Sequence, residues 1–424
     1  MKKFFKYFAN LKLAIFLLLL ISIFSALGSI IEQDKPIEFY QATYTKLLCG
    51  IPLWVCFKNL NLDHIYSAWW FFLLLGVFAL CLISCTFLQQ FPALKFARRY
   101  YFYTSAEQFN KLKDKFTTSQ GLKSQLCYRL ISENYAVFQK KSSFYGYKGL
   151  IGRIGPIVVH LSIICILVGS ILGAIIGFTA QEFVPKSEIF HIQNIVKAGN
   201  FANISQQTFR VNDFWVNYNK SGNIRQFQSD ISVLTGKGDE ILRKTISVNN
   251  PLIFKGLTFY QTDWGITGVR IKISAKNSIL QLPVSRIANS SQKLWVTWIP
   301  LNTQEKNGLL VVLNNARGKV DFYNETAKKI SQKSLGQSLQ FNDLTIKLLE
   351  FISSTGIQIK TDPGITIIYA GFGFLIISTF VSYISFSEVW LLEKEKQIFF
   401  GGTTNRDKIK FQLEISKIKK SFPR

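Results

Sequence analysis

The sequence predicts a membrane protein of mixed α+β class. It has four transmembrane helices and one large extracytoplasmic, β-rich domain, a sandwich or open barrel. Three observations predict it. Four long runs carry no Asp, Glu, Lys or Arg. Basic residues gather on alternate connections between those runs. Within 179–362 the pattern changes to short alternating segments split by Gly, Asn, Asp and Ser. The charge-free runs exclude a wholly soluble chain. A hydrophobic share of 48%, with 38 Phe, excludes a disordered basic one. The net charge of +25 would suit nucleic acid, but its placement marks the cytoplasmic face of a membrane instead.

The chain opens with a basic tip, residues 1–12, followed by the first run, 13–31. That run is longer than the apolar part of a cleaved signal peptide, so it reads as a retained helix. A short outer loop, 32–64, leads to the second run, 65–88. A basic inner connection, 89–153, holds 12 basic and three acidic residues. The third run is 154–178. The β-rich domain, 179–362, precedes the fourth run, 363–387, and a basic tail, 388–424. Each run has the ~20 residues needed to cross ~30 Å of hydrocarbon, and in lipid such runs must be helical to pair their peptide groups. Short basic connections stay inside, so the tip, the 89–153 connection and the tail share one side. An amphipathic helix is expected near Ala106–Phe116.

The β-rich domain reads as strands at 209–218, 224–234, 257–263, 268–274, 294–299, 309–313 and 344–352. Alternation at this spacing predicts an antiparallel sandwich or barrel. No P-loop, dinucleotide-binding glycine turn or G-x-S-x-G elbow occurs.

Only three histidines are present: His64, His160 and His191. His160 lies seven residues beyond Arg153, ~10 Å into the bilayer at ~1.5 Å per residue. An ionisable side chain at that depth is costly, and its usual roles are proton relay, metal ligation or haem ligation. The alternative is a neutral ring hydrogen-bonded to a neighbouring helix, and position alone leaves both open. His64 and His191 read as surface or interfacial residues. Gly169, Gly173 and Gly177 form a stripe that lets a second helix approach closely, on a face turned away from His160. The cysteines (49, 56, 81, 85, 127 and 165) contain no C-x-x-C, which excludes a thioredoxin-like or c-type haem motif. Cys49 and Cys56 share a loop and could pair. Cys81 and Cys85 share a helical face, so a transmembrane thiol carrier is one alternative; a non-catalytic scaffold is another. Trp69, Trp70 and Trp390 read as membrane-interface anchors.

The stretch YKGLIGRIGPIVVHLSIICILVGSILG (147–173) resembles the third span of the ResB, or CcsB-type, family of system II cytochrome c maturation. GNIRQFQSDISVL (222–234) and ISVNNPLIFKGLTFYQTDWG (246–265) are similar to that family's outer-domain motifs. The resemblance implies a component of haem delivery to c-type apocytochromes, without a stand-alone catalytic site. It implies a partner of the CcsA, or ResC, type and apocytochromes such as cytochrome f as clients. A thioredoxin-like reductant protein is a further implied partner. By residue match, His160 becomes an axial ligand of a transient haem b shared with the partner, and Asp230 a functional residue of the outer domain. One membrane histidine in the chain means a second axial ligand from another polypeptide. Lys, Ile, Phe, Asn and Ser dominate, as in AT-rich organelle genomes. The start is also unlike a Ser/Arg-rich presequence. These features predict a plastid-encoded, multi-pass thylakoid protein, with a bacterial plasma membrane as the alternative.

Overall fold

The computed structural model describes all residues except 1, 49, 120–122, 221–223, 275–277, 288–293, 301–307, 314–317, 342–343, 396 and 421–424. The expected pairing of Cys49 with Cys56 thus lies outside the described residues. The chain divides into two compact units, Met1–Gly173 with Gly364–Arg424, and Ala174–Pro363.

The first unit holds four helices long and apolar enough to cross a membrane, counted among the described residues. The first is Leu11–Ile30, opened by Asn10, whose Oδ1 accepts the Lys12 amide at 2.9 Å. The second begins at Trp69 rather than Ile65, which sits in a 3₁₀ turn, Leu62–Ser67. It also runs on past Leu88. An α-helix to Cys85 passes into a π-helical turn, Thr86–Gln90, and continues as Phe91–Ala97. Pro92 gives the physical reason: it lacks an N–H and its ring crowds the carbonyl four residues back. The register widens just before it, where the Phe91 amide donates to the Thr86 carbonyl. The third helix is Gly155–Ile176 and the fourth Ile365–Ser382.

The third and fourth helices meet along a seam of small residues spaced by seven. Gly155, Ser162 and Gly169 are buried on one, Gly371 and Ser378 on the other. A Cβ on Gly169 would lie 2.8 Å from Ile368, and one on Gly371 would lie 2.7 Å from Ile166. Backbones can approach this closely only where side chains are absent. The glycine stripe is therefore real at Gly169 and Gly173, both of which a Cβ on Gly364 would meet within 2.9 Å, and the seam continues through Ser162 and Gly155 at a period of seven. On its other side the third helix sends Ile163, Ile164 and Leu167 into a core with Leu17, Phe78, Cys81 and Leu82.

The connection 89–153 and the tail fold together, which their composition alone does not suggest. They form a five-stranded antiparallel sheet in the order 114–118, 397–404, 387–394, 143–148, 136–140. Helices Lys123–Ser132 and Lys408–Lys420 cover one face through Leu126, Leu130, Phe411 and Ile415. Aromatic residues of 102–112 cover the other, packing on Tyr145 and Trp390. Trp390 is no interface anchor: it is 6% exposed, stacks on Tyr103 at 4.7 Å and donates its indole N–H to the Tyr101 carbonyl. The helix expected at Ala106–Phe116 is a 3₁₀ turn, Ala106–Lys111, followed by strand Asp114–Thr118. Its apolar residues point into the aromatic layer and the sheet, so tertiary packing overrides the helical period.

The second unit is built on two long strands, Leu257–Ile273 and Leu344–Thr361, paired antiparallel through bulges. Their sheet faces a four-stranded sheet containing Thr208–Tyr218 and Ile224–Leu234 over one core, with Phe209, Ile231, Phe259 and Ile357. A five-stranded sheet shares a second core with Trp264, Val269, Leu309, Phe322 and Ile346. The result is two sandwiches sharing the long strands. The two strands expected at 257–263 and 268–274 are one. Gly265 and Gly268 between them mark close approach, not a turn: a Cβ on Gly265 would meet the Phe183 ring at 2.7 Å. Glycine inside a strand is read this way when a neighbour leaves no room.

Candidate functional site

His160 points from the third helix at the π-helical turn of the second. Its Nδ1 lies 3.0 Å from Thr86 Oγ1, and the Gln90 amide nitrogen lies 3.1 Å from its Nε2 and 3.3 Å from its Nδ1. Pro92 sets this up, because the widened turn carries both Thr86 and Gln90 on the face turned to the third helix. The ring is half-buried. π-turns recur at functional sites, where they re-aim side chains.

The Thr86 hydroxyl also donates to the Leu82 carbonyl at 2.8 Å. The Gln90 Oε1 is buried with no partner among the described residues. A ring bonded to a neighbouring helix is also what a purely structural histidine shows. The difference is that the Gln90 amide is the tip of a flexible side chain whose oxygen gains nothing from staying.

This donor set fits haem and not a bare metal ion. Among the described residues, no three His, Cys, Asp or Glu gather into a cation site. Haem brings four nitrogens of its own and asks the protein for one or two axial donors. A groove of about 870 Å³ on the adjoining face of the same helix adds a second feature. It is lined by Phe87, Phe91 and Phe96, all exposed, and by Lys95, Arg98 and Arg99. Among the described residues none of these three cations has an ion-pair partner. Exposed rings beside cations without carboxylate partners, Arg99 lying over the Phe96 ring at 5.6 Å, suit a flat apolar molecule with carboxylate edges.

The other sequence-selected residues lie elsewhere. His64 Nδ1 is 2.9 Å from buried Asp63, which also takes the Lys58 ammonium at 3.3 Å. His191 is exposed. Cys81 is packed among Leu17, Phe78 and Leu82, while Cys85 donates weakly to Gln89 at 3.6 Å; both thiols are free. Trp69 is 70% exposed, whereas Trp70 packs on Phe24 and donates to the Leu60 carbonyl. Asp230 belongs to the second unit and His160 to the first, so no shared site is described. Asp230 receives Arg243 from the neighbouring strand, Nε to Oδ2 at 2.9 Å and Nη2 at 2.5 Å, a two-pronged pair. Ser229 beside it is fully buried and forms a polar triangle with Gln261 and Thr355, the latter two 3.0 Å apart. Ser229 and Asp230 of the outer-domain motif thus both pair with side chains of their own unit. Asn249, Lys255 and Gly256, all at positive φ, make the turns that bring these strands back.

Sequence reasoning missed Thr86, Gln90 and the basic groove. The signal available was a Gln-Gln pair followed by Phe-Pro at the end of an apolar run, where polar side chains should not be idle.

A model described as the ResB-like family matches residues 11–305 and 311–416. The chain is 47% identical over 416 residues to the cytochrome c biogenesis protein Ccs1 of Phaeodactylum tricornutum, covering 98% of each. It is 45% identical over 416 residues to Ccs1 of Thalassiosira pseudonana, again covering 98% of each. To the cytochrome c biogenesis protein CcsB of a Picosynechococcus species it is 42% identical over 417 residues, covering 97% of this chain and 90% of that one.

Proposed function

This chain belongs to the ResB-like family, and from that premise we propose that it is a membrane component of cytochrome c biogenesis that holds haem for attachment to apocytochromes. The observation that carries the reading is the imidazole of His160, half-buried within a span and set between the third helix and the π-helical turn that carries Thr86 and Gln90. His160 would supply one axial ligand to a haem b. A CcsA-type, or ResC-type, membrane partner would supply the other, because His160 is the one histidine within the spans. Phe87 and Phe91 would bear on the macrocycle, and Lys95, Arg98 and Arg99 on its propionates. Held by His160 and a donor of the partner, the iron would be shielded from oxidation before the haem is attached.

By the charge rule the basic connections would face the stroma of a thylakoid membrane, and the segment between the third and fourth helices would face the lumen. Apocytochromes, cytochrome f among them, would be met there. Asp230 serves through Arg243, fixing the strand pair that the outer-domain motif begins. The thiol-carrier reading loses support from Cys81, which is buried among apolar side chains. Inactivating the gene in its host tests the function. The expected result is loss of covalently haem-bearing c-type cytochromes while b-type haem proteins persist. Normal levels of c-type cytochromes would refute it.

A further inference from the structure

We propose that the end of the second unit next to the third helix is seated in the lipid headgroup layer, with the hairpin of residues 252–257 as a membrane-contacting tip. The inference does not depend on the haem reading. The last turn of the third helix, residues 174–176, belongs to this unit. The 22 residues from Gly155 to Ile176 span ~33 Å at ~1.5 Å per residue, so that turn lies where ~30 Å of hydrocarbon ends. A loop of the β unit is pinned to it. The Phe201 amide donates to the Ile175 carbonyl and the Gly199 amide to the Gly177 carbonyl, both at 2.9 Å. Gly199 leaves no space between them: a Cβ there would lie 2.2 Å from the Ile175 oxygen. Phe201 is therefore held at the depth of the helix end, and it is 76% exposed. An apolar ring at that level belongs to a membrane–water interface.

The strand register brings the hairpin to the same end of the sheet. Phe178, just past the helix, pairs with Thr361, and Thr361 pairs with Leu257. Leu257 closes the hairpin on Phe254 through Lys255 and Gly256, at φ 46° and 83°. Two central residues at positive φ make the tight turn of a two-residue hairpin. Glycine takes that conformation freely and lysine does not. Lys255 accepts it with its ammonium 5.3 Å from the Phe254 ring centre. One step further from the tip, Ile253, Lys360 and Lys197 fall in a single cross-strand row, joined through Thr258 and Thr179. The row faces away from the core, since the alternate positions Leu257, Phe259, Phe178 and Ala180 are the buried ones. Ile253 is 66% exposed. Tyr260 follows on the same face. An apolar tip continuous with a span, lysines behind it and a tyrosine beyond them match the layers of a leaflet edge. The lysine stems lie along apolar surface while the ammonium groups reach the phosphates.

The test uses the full chain in liposomes of phosphatidylcholine and phosphatidylglycerol. p-Acetylphenylalanine carrying a nitroxide replaces Phe201, Ile253 and, as a control, Ile279, one position per sample. Ile279 is also an exposed apolar residue. It pairs with Lys272, 14 residues on from Thr258 along the same strand, which is ~45 Å at ~3.3 Å per residue. Spin relaxation then compares collisions with oxygen, which concentrates in lipid, and with a water-soluble nickel chelate. The expected oxygen-to-nickel ratio is severalfold higher at 201 and at 253 than at 279. A ratio at either position equal to that at 279 overturns the inference. Protection from both reagents at either position also overturns it, because the surface would then be covered by protein, a second copy of the chain, and not by lipid.

Discussion

Thr86 Oγ1 and His160 Nδ1, 74 residues apart in sequence, stand 3.0 Å apart between the second and third membrane helices. That contact ties the widened turn before Pro92 to the one histidine within the spans. It also explains why the seam glycines matter. They dock the third helix on the fourth by one face and leave the His160 face for the second.

The seam makes a contrast within one helix. Gly371 has no room for a Cβ, whereas a Cβ on Gly373 meets nothing within 4 Å. Gly371→Leu should lower thermal stability in detergent by roughly 1–3 kcal/mol, the usual cost of overpacking. Gly373→Leu should stay near wild type. Equal losses at both positions would show that the helices are not packed along this line.

Cys81→Ala with Cys85→Ala should leave the yield of mature c-type cytochromes unchanged, apart from a modest loss of protein level from the small cavity at Cys81. Haem staining normalised to the amount of this protein measures it. Loss of cytochrome at normal protein level would revive the thiol-carrier alternative.

Glu388 offers a pH test outside the spans. Burial pushes its carboxyl above the usual carboxylate range, although the Tyr145 hydroxyl donating at 2.7 Å and the charge of Arg153 pull it down. A folded pKa above the unfolded one means the folded chain holds the proton longer. Stability is therefore favoured at low pH and falls as pH rises from the ordinary carboxylate pKa through the raised one. Glu388→Gln keeps an oxygen for Tyr145 and removes the titration. Its melting temperature should exceed that of wild type at neutral pH, and the difference should shrink on acidification. A difference constant with pH would contradict the burial argument.

Asp230 and Arg243 should behave as one unit. Asp230→Asn, Arg243→Gln and the double variant should each lower the melting temperature of the full chain by the same few degrees, because contacting partners are not additive. Cytochrome yield should track stability in all three. If Asp230→Asn abolished cytochrome yield while Arg243→Gln did not, Asp230 would have a role of its own.

Much of the architecture was legible in the sequence, for identifiable reasons. A helix in lipid must carry an unbroken apolar run, so the four spans announce themselves. The β unit shows in alternation because one face of most strands is buried. The small sheet built from the 89–153 connection and the tail was not legible. Its contacts, such as Tyr145 to Glu388, link residues 243 apart. Strand Ser387–Lys394 is also buried on both faces at Val389 to Leu392, so it lacks the alternation that would reveal a strand and mimics the end of a membrane helix. His160 was legible as a costly residue, but Thr86 and Gln90 were not, because only the π-turn aims them at it.

The most direct test of the central claim is the absorption spectrum and haem content of this chain purified with its CcsA-type partner, with and without His160→Ala. The account predicts a six-coordinate, low-spin haem b in the wild-type complex, lost from the variant although both chains still co-purify. An intact complex carrying the same haem with the same spectrum after His160→Ala would contradict it.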